Sequence, residues 1–145
     1  QAMSQPRGHA AAVVVNGAIQ VIGGTDGSQA LALNEVFFPH RSGEEENAWE
    51  ARSPLPEGRS GMAVSELASM VFLFGGDADQ PPLQYLPFQD QWQPMDGTPE
   101  PVGSGFGMAP VNTHLHFFGG QVNDQRLDHH LAYQAVYVVP LPIMR

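Results

Sequence analysis

Four histidines gather late in the chain: His114 and His116 stand two apart, and His129 and His130 follow after a short polar run. On a strand, the first pair would share one face, a spacing that suits transition-metal ligation through imidazole nitrogens. Glu44, Glu45 and Glu46 form a carboxylate run that could hold a cation or a basic partner. Adjacent like charges more commonly keep a loop in water. Arg7, Arg59 and Arg145 are widely spaced guanidinium groups, each able to take a carboxylate through paired hydrogen bonds. Tyr85, Trp49 and Trp92 could stack on a sugar ring. The chain has no cysteine, which excludes disulfides, thiolate metal sites and a cysteine nucleophile. No acid–base pair stands out, and no catalytic residue is assigned.

What these groups can do depends on the elements that hold them, and here the chain repeats itself. Three hydrophobic runs end in paired glycines, Gly23-Gly24, Gly75-Gly76 and Gly119-Gly120. The segments before them align without a gap: Arg7, Arg59 and Gly103 each lie sixteen positions ahead of the first glycine. Ala10 to Val15 and Ala18 to Ile22 flank Asn16-Gly17, a favoured hairpin turn. Their counterparts are Met62 to Val64 with Met70 to Phe74, and Phe106 to Val111 with His114 to Phe118. A third strand is expected at Glu35 to Phe38 and at Leu83 to Leu86. A fourth starts at Trp49 and at Trp92 and runs into proline-rich exits, Pro54-Leu55-Pro56 and Thr98-Pro99. Gly and Pro, 16 and 13 of 145 residues, are spread throughout and leave little room for helix. Four short antiparallel strands per unit make a β-propeller blade.

With these features the chain resembles the kelch motif, whose repeats run to ~50 residues. That pattern sets a diglycine after an apolar strand, then an aromatic, then a Trp before a proline exit and the next Arg. The second repeat carries it most fully, from Tyr85 to Trp92. The first offers Phe37-Phe38-Pro39 and Trp49, with extra loop residues that include the three glutamates. The third has no Trp after Gly120; Tyr133 and Tyr137 are partial substitutes, and its outer strands are expected near Leu131 to Val139. The resemblance implies an all-β fold, one domain over residues 1–145, with blades of four antiparallel strands near 7–58, 59–102 and 103–145. It makes the six repeat glycines, Tyr85, Trp49 and Trp92 structural. His114 and His116 align with Ala18 and Gln20, and with Met70 and Phe72. These are variable slots, which favours a structural or surface role over metal binding, and no metal or cofactor is expected.

The repeat count bears on assembly. Arg7 to Arg59 spans 52 residues, Arg59 to Gly103 spans 44, and Gly103 to Arg145 spans 42. Pro140-Leu141-Pro142 precedes Arg145 as Pro54-Leu55-Pro56 precedes Arg59. Three blades are half of the six-blade ring usual in the family, and propellers close at ~4–8 blades. Two apolar blade faces would otherwise meet water. The expectation is a second copy of the chain, related by a two-fold axis, that closes the ring.

The partner class is narrowed by charge. Fifteen acidic residues face six basic ones, all arginine, for a net charge of −9. Neither nucleic acid nor an anionic membrane suits such a surface. The compartment stays open. Strand order sends the loops after the diglycines and the proline exits to one face. Asp26, Asp77, Asp79 and Asn123 lie in those loops, with Arg7, Arg59 and Arg145 at the blade starts. Such loops on a rigid ring suit ligand binding. The arginines could instead each pair with a carboxylate or carbonyl at their own junction, which is the favoured reading.

The expected function is a non-enzymatic module that binds a protein or glycan through that face. The family also includes galactose oxidase, whose cofactor needs a Cys that this chain lacks, and sialic-acid mutarotases. A carbohydrate-active enzyme of the latter type, with its site at the channel mouth, is the alternative.

Overall fold

Asn16 and Gly17 both adopt positive φ, 50° and 78°, the geometry that turns a strand back in two residues. The turn joins β1 (Ala11–Val15) to β2 (Ala18–Ile22), and β3 (Asn34–Phe37) and β4 (Trp49–Ala51) complete a four-stranded sheet in the order β1-β2-β3-β4. The computed structural model describes residues 1–41, 47–76, 80–97 and 103–137. Glu44 to Glu46, Asp77, Asp79, Thr98-Pro99, Val139, Pro140 to Pro142 and Arg145 lie outside them.

A second four-stranded sheet repeats the plan with β5 (Met62–Leu67), β6 (Met70–Gly75), β7 (Leu83–Leu86) and β8 (Gln91–Pro94). Its first hairpin turns on Ala68 and Ser69, at φ 55° and 61°, with the Ser69 N–H donating to Glu66 Oε1 at 2.6 Å. A third sheet contains β9 (Gly107–Val111) and β10 (His114–Phe118). A small ribbon follows, β11 (Gln121–Val122) with β12 (Gln125–Arg126), and then β13 (His130–Gln134) pairs with the free edge of β10. All strand pairings are antiparallel. The described residues include no α-helix, only a 3-10 turn at Pro39–Arg41.

The sheets stack face to face. Ala11, Val15 and Ile22 of the first meet Met62, Val71, Leu73, Leu83 and Tyr85 of the second. Phe72 and Phe74, on the other side of β6, meet Phe106, Leu115 and Phe117 of the third. β6 is therefore covered on both faces, which is why its sequence is unbroken Val-Phe-Leu-Phe rather than alternating. Strands β1, β5 and β9 run beside one another at one edge of the stack.

The sequence reading places most strands within a residue or two, but the third sheet, expected with four strands, has three among the described residues, in the order β13-β10-β9. β5 runs three residues beyond the expected Val64. The segment after Gly120, expected as a loop, forms the β11–β12 ribbon.

Candidate functional site

The paired glycines work at the joints between sheets. The Gly24 N–H donates to the Arg59 carbonyl at 2.9 Å, and the aligned Gly76 N–H donates to the Gly103 carbonyl at 3.2 Å. A Cβ on Gly23 would lie 2.3 Å from the Arg59 O, and one on Gly75 would lie 2.2 Å from the Gly103 O. Both glycines have positive φ, so two constraints select glycine at each site. Gly119 and Gly120 keep the conformation, at φ 68° and 109°, but a Cβ on Gly119 would find Leu127 O at 3.4 Å as its near neighbour among the described residues.

Two of the arginines are turned into the fold. The Arg7 side chain is fully buried, with Nη2 2.7 Å from Glu35 Oε2 and 3.5 Å from the Val21 carbonyl. Arg59 is 2% exposed and donates to the carbonyls of Pro81 at 2.9 Å and Gly75 at 3.4 Å. Each guanidinium serves its own repeat. Asp26 closes its own loop: Oδ1 accepts from the Ser28 N–H, the Ser28 hydroxyl and the Gln29 N–H at 2.8–2.9 Å. Those bonds, led by the Ser28 N–H, hold its carboxyl down at about 2. Asn123 is exposed in the turn of the β11–β12 ribbon, at φ 47°. Among the described residues these groups do not converge on one centre. Arg145, Asp77 and Asp79 lie outside them.

The aromatics lie in or beside the core. Tyr85 is 1% exposed and its ring sits 4.8 Å from Trp92, which packs half-buried against the first core. Trp49 is half-buried against Phe37 at 5.0 Å, and its Nε1 donates to the Gln1 carbonyl at 3.5 Å.

Two of the four histidines, His116 and His130, come together on the outer face of the third sheet. His116 Nδ1 and His130 Nε2 are 2.9 Å apart with rings parallel within 3°, and Phe118 stacks on His130 at 4.8 Å. Among the described residues no three metal-ligating side chains converge. The face itself is notable. Phe72 and Phe74, which align with His116 and Phe118, are each 1% exposed, whereas Phe118 is 53% exposed.

One cavity escaped the sequence reading. It lies between the first and second sheets at the hairpin end, opposite the diglycine loops, with a volume of about 160 Å³. Val15, Ala18, Gln20, Val36 and Tyr85 line it, with Arg52, Phe38 and Phe88. Gln20 Nε2 donates to Asn34 Oδ1 at 2.8 Å, and Asn34 Nδ2 donates to the Ser53 carbonyl at 3.0 Å, which ties the polar wall to the backbone. Arg52 and Arg41 share Glu50, at 2.9 and 2.5 Å. The Arg41 hydrogen bond leads in holding the Glu50 carboxyl below its usual range, against a smaller cost of burial. The signal was in the alignment: Ala18 and Gln20 stand where the next repeat has the larger Met70 and Phe72.

No family model matches the chain. Among curated proteins, alpha-scruin of Limulus polyphemus is 31% identical over 114 residues, 72% of this chain and 12% of the relative. Kelch-like protein 35 of Homo sapiens is 38% identical over 63 residues, 43% of this chain and 10% of the relative. The chain thus spans about a tenth of the length of each. With its repeated four-stranded antiparallel sheets and glycine-tight joints, the chain belongs to the kelch-repeat family.

Proposed function

We propose that the chain is a protein-binding propeller section, and that the first blade of a second copy covers the outer face of its third blade. The supporting observation is the contrast between equivalent faces. Blade one buries Ala11, Val15 and Ile22 on blade two, and blade two buries Phe72 and Phe74 on blade three. The matching positions of blade three leave Phe118 and Val111 each 53% exposed. On blade one the opposite face is also open, with Val14 62% exposed. Residues at the N-terminal end cover part of that face, where Ser4 N–H donates to Glu35 Oε1 at 3.0 Å and Gln1 Oε1 accepts from the Ala48 N–H at 2.6 Å. Repeating the blade-to-blade step would set the exposed Phe118 face on the exposed Val14 face of the second copy.

Family membership supports a protein ligand over chemistry, with variable loops on the diglycine face as the recognition surface. Light scattering of the purified chain tests the assembly. A species of twice 15.7 kDa at micromolar concentration is expected, and a stable monomer would refute it. Calorimetric saturation by a neutral sugar would move the ligand class from protein to glycan.

A further inference from the structure

We infer that two backbone hydrogen bonds join the ends of the blade stack between copies. The Gly120 N–H of one copy donates to the Arg7 carbonyl of the second, and the His9 N–H of the second donates to the Gly105 carbonyl of the first. This pairing rests on the assembly proposed above and names the contacts that set its register.

Two such bonds recur at each joint inside the chain. One runs forward from the second glycine of a blade to the entry of the next: Gly24 N–H to the Arg59 carbonyl at 2.9 Å, and Gly76 N–H to the Gly103 carbonyl at 3.2 Å. The other runs back. The Gly61 N–H donates to the His9 carbonyl at 3.1 Å, and the Gly105 N–H to the Gly61 carbonyl at 3.3 Å. His9, Gly61 and Gly105 lie two positions past Arg7, Arg59 and Gly103, and share positive φ of 52°, 68° and 67°.

At the ends of the stack each bond is half made. Among the described residues no backbone carbonyl accepts from the N–H of Gly120 or His9, and no backbone N–H donates to the carbonyl of Arg7 or Gly105. One more blade-to-blade step pairs each donor with its acceptor. The conformations for that step are already in place. Gly119 and Gly120 hold φ of 68° and 109°, although a Cβ on Gly119 would come no nearer than 3.4 Å to Leu127 O. His9 keeps the left-handed backbone that its two glycine counterparts adopt with less strain. The segment before Arg7 is placed as well. Trp49 Nε1 donates to the Gln1 carbonyl at 3.5 Å, as Trp92 Nε1 donates to the Ser53 carbonyl at 2.9 Å, and Gln1 precedes Ser53 by the interval that separates Arg7 from Arg59. Blade one is thus entered as blade two is. A second copy brings both missing halves at once, and a two-fold axis makes each contact twice.

The test is amide hydrogen exchange on the ¹⁵N-labelled chain, with the mass measured by light scattering at each concentration. In the dimer, the His9 and Gly120 amides should exchange about a hundredfold more slowly than in the dilute monomer, while Gly61 and Gly76 stay protected in both. A dimer in which His9 and Gly120 exchange as fast as in the monomer would overturn the pairing and leave the assembly standing. A chain that stays monomeric would overturn both. Gly119→Ala gives a second readout. Within one chain its Cβ has room, but across the seam it would meet the Arg7 carbonyl, as a Cβ on Gly23 or Gly75 would lie 2.3 or 2.2 Å from its own acceptor. Association should weaken roughly tenfold or more. Wild-type association of that variant would overturn the close approach of Arg7.

Discussion

Trp92 of blade two donates its indole N–H to the Ser53 carbonyl of blade one at 2.9 Å. The same residue is held from its other side, since the Ser53 N–H donates to Asp90 Oδ1 at 2.8 Å, and that oxygen also accepts from the Tyr85 hydroxyl at 2.5 Å. The last strand of blade two and the turn before it thus clamp the exit of blade one at both backbone groups. A joint that relied on apolar contact alone would fix distance but not register. The clamp fixes both.

Trp92→Ala should therefore destabilise the chain by about 3 kcal/mol, the low end for large aromatic truncations because the ring is only half-buried. Trp92→Phe keeps most of the packing and should lose about 1 kcal/mol for the missing donor. Urea unfolding of the two variants measures the split, and an unchanged stability in Trp92→Phe would mean that the hydrogen bond contributes nothing.

Asp90 gives the clamp a pH dependence. Burial pushes its carboxyl up, but the hydrogen bonds from Tyr85 and Ser53 and the charge of Arg52 outweigh it and leave the group below its ordinary value. A carboxyl depressed in the folded state contributes stability above the unfolded pKa of ~3.9, and that contribution is lost as pH falls through the folded value. The melting temperature of the wild type should fall more steeply below pH ~4 than that of Asp90→Asn. Asp26 is present in both proteins, so its own acid titration cancels from the comparison. Parallel curves would show that Asp90 carries no linked proton.

Much of this architecture was legible because the repeat writes it three times. Asn16-Gly17 marked the first turn, and the diglycines marked where the second strand of each repeat ends; that Gln20 is buried beside Ala18 and Ile22 came from the structure. The placement of Arg7 was less visible, since nothing in the spacing names Glu35 as its partner. That contact spans 28 residues and depends on β3 pairing with β2 in one register. The cavity was hidden for another reason: polarity patterns show which face is buried, not whether the residues there fill the volume. Small Ala18 near Gln20 matters only once Val36 is known to stand beside Gln20 and Tyr85 opposite.

The glycines of the joints allow a controlled comparison. Gly75→Ala and Gly119→Ala both place a side chain at positive φ, 72° and 68°, at a shared conformational cost of about 1–2 kcal/mol. Gly75→Ala alone drives a Cβ to 2.2 Å from a backbone carbonyl of the next blade, so blade three must shift. Its loss should exceed that of Gly119→Ala by about 2 kcal/mol or more, comparable to overpacking a core. Similar losses would mean that the joint yields freely.

The hairpin of blade two offers a gain. Ala68 and Ser69 hold positive φ where blade one has Asn16 and Gly17. Ser69→Gly should stabilise by about 0.5–1 kcal/mol, provided that relief of the left-handed strain exceeds the loss of backbone rigidity in the unfolded chain. A rise of a few degrees in melting temperature would register it.

The proposed closure of the ring can be separated from general surface stickiness with two exposed phenylalanines. Phe118 is 53% exposed on the outer face of blade three, and Phe88, more exposed at 85%, lies at the hairpin end between blades one and two. If the third blade is covered by a second copy, Phe118→Glu places a carboxylate in the seam against the exposed Val14 of that copy. Moving a carboxylate from water into an apolar seam costs several kcal/mol, enough to weaken association by about a hundredfold. Phe88→Glu should leave the mass unchanged. Both substitutions remove one exposed ring and add one charge, so a difference between them in sedimentation reports the geometry of assembly rather than solubility. Dissociation by both variants would point to unspecific hydrophobic association, and dissociation by neither would place the contact elsewhere on the chain.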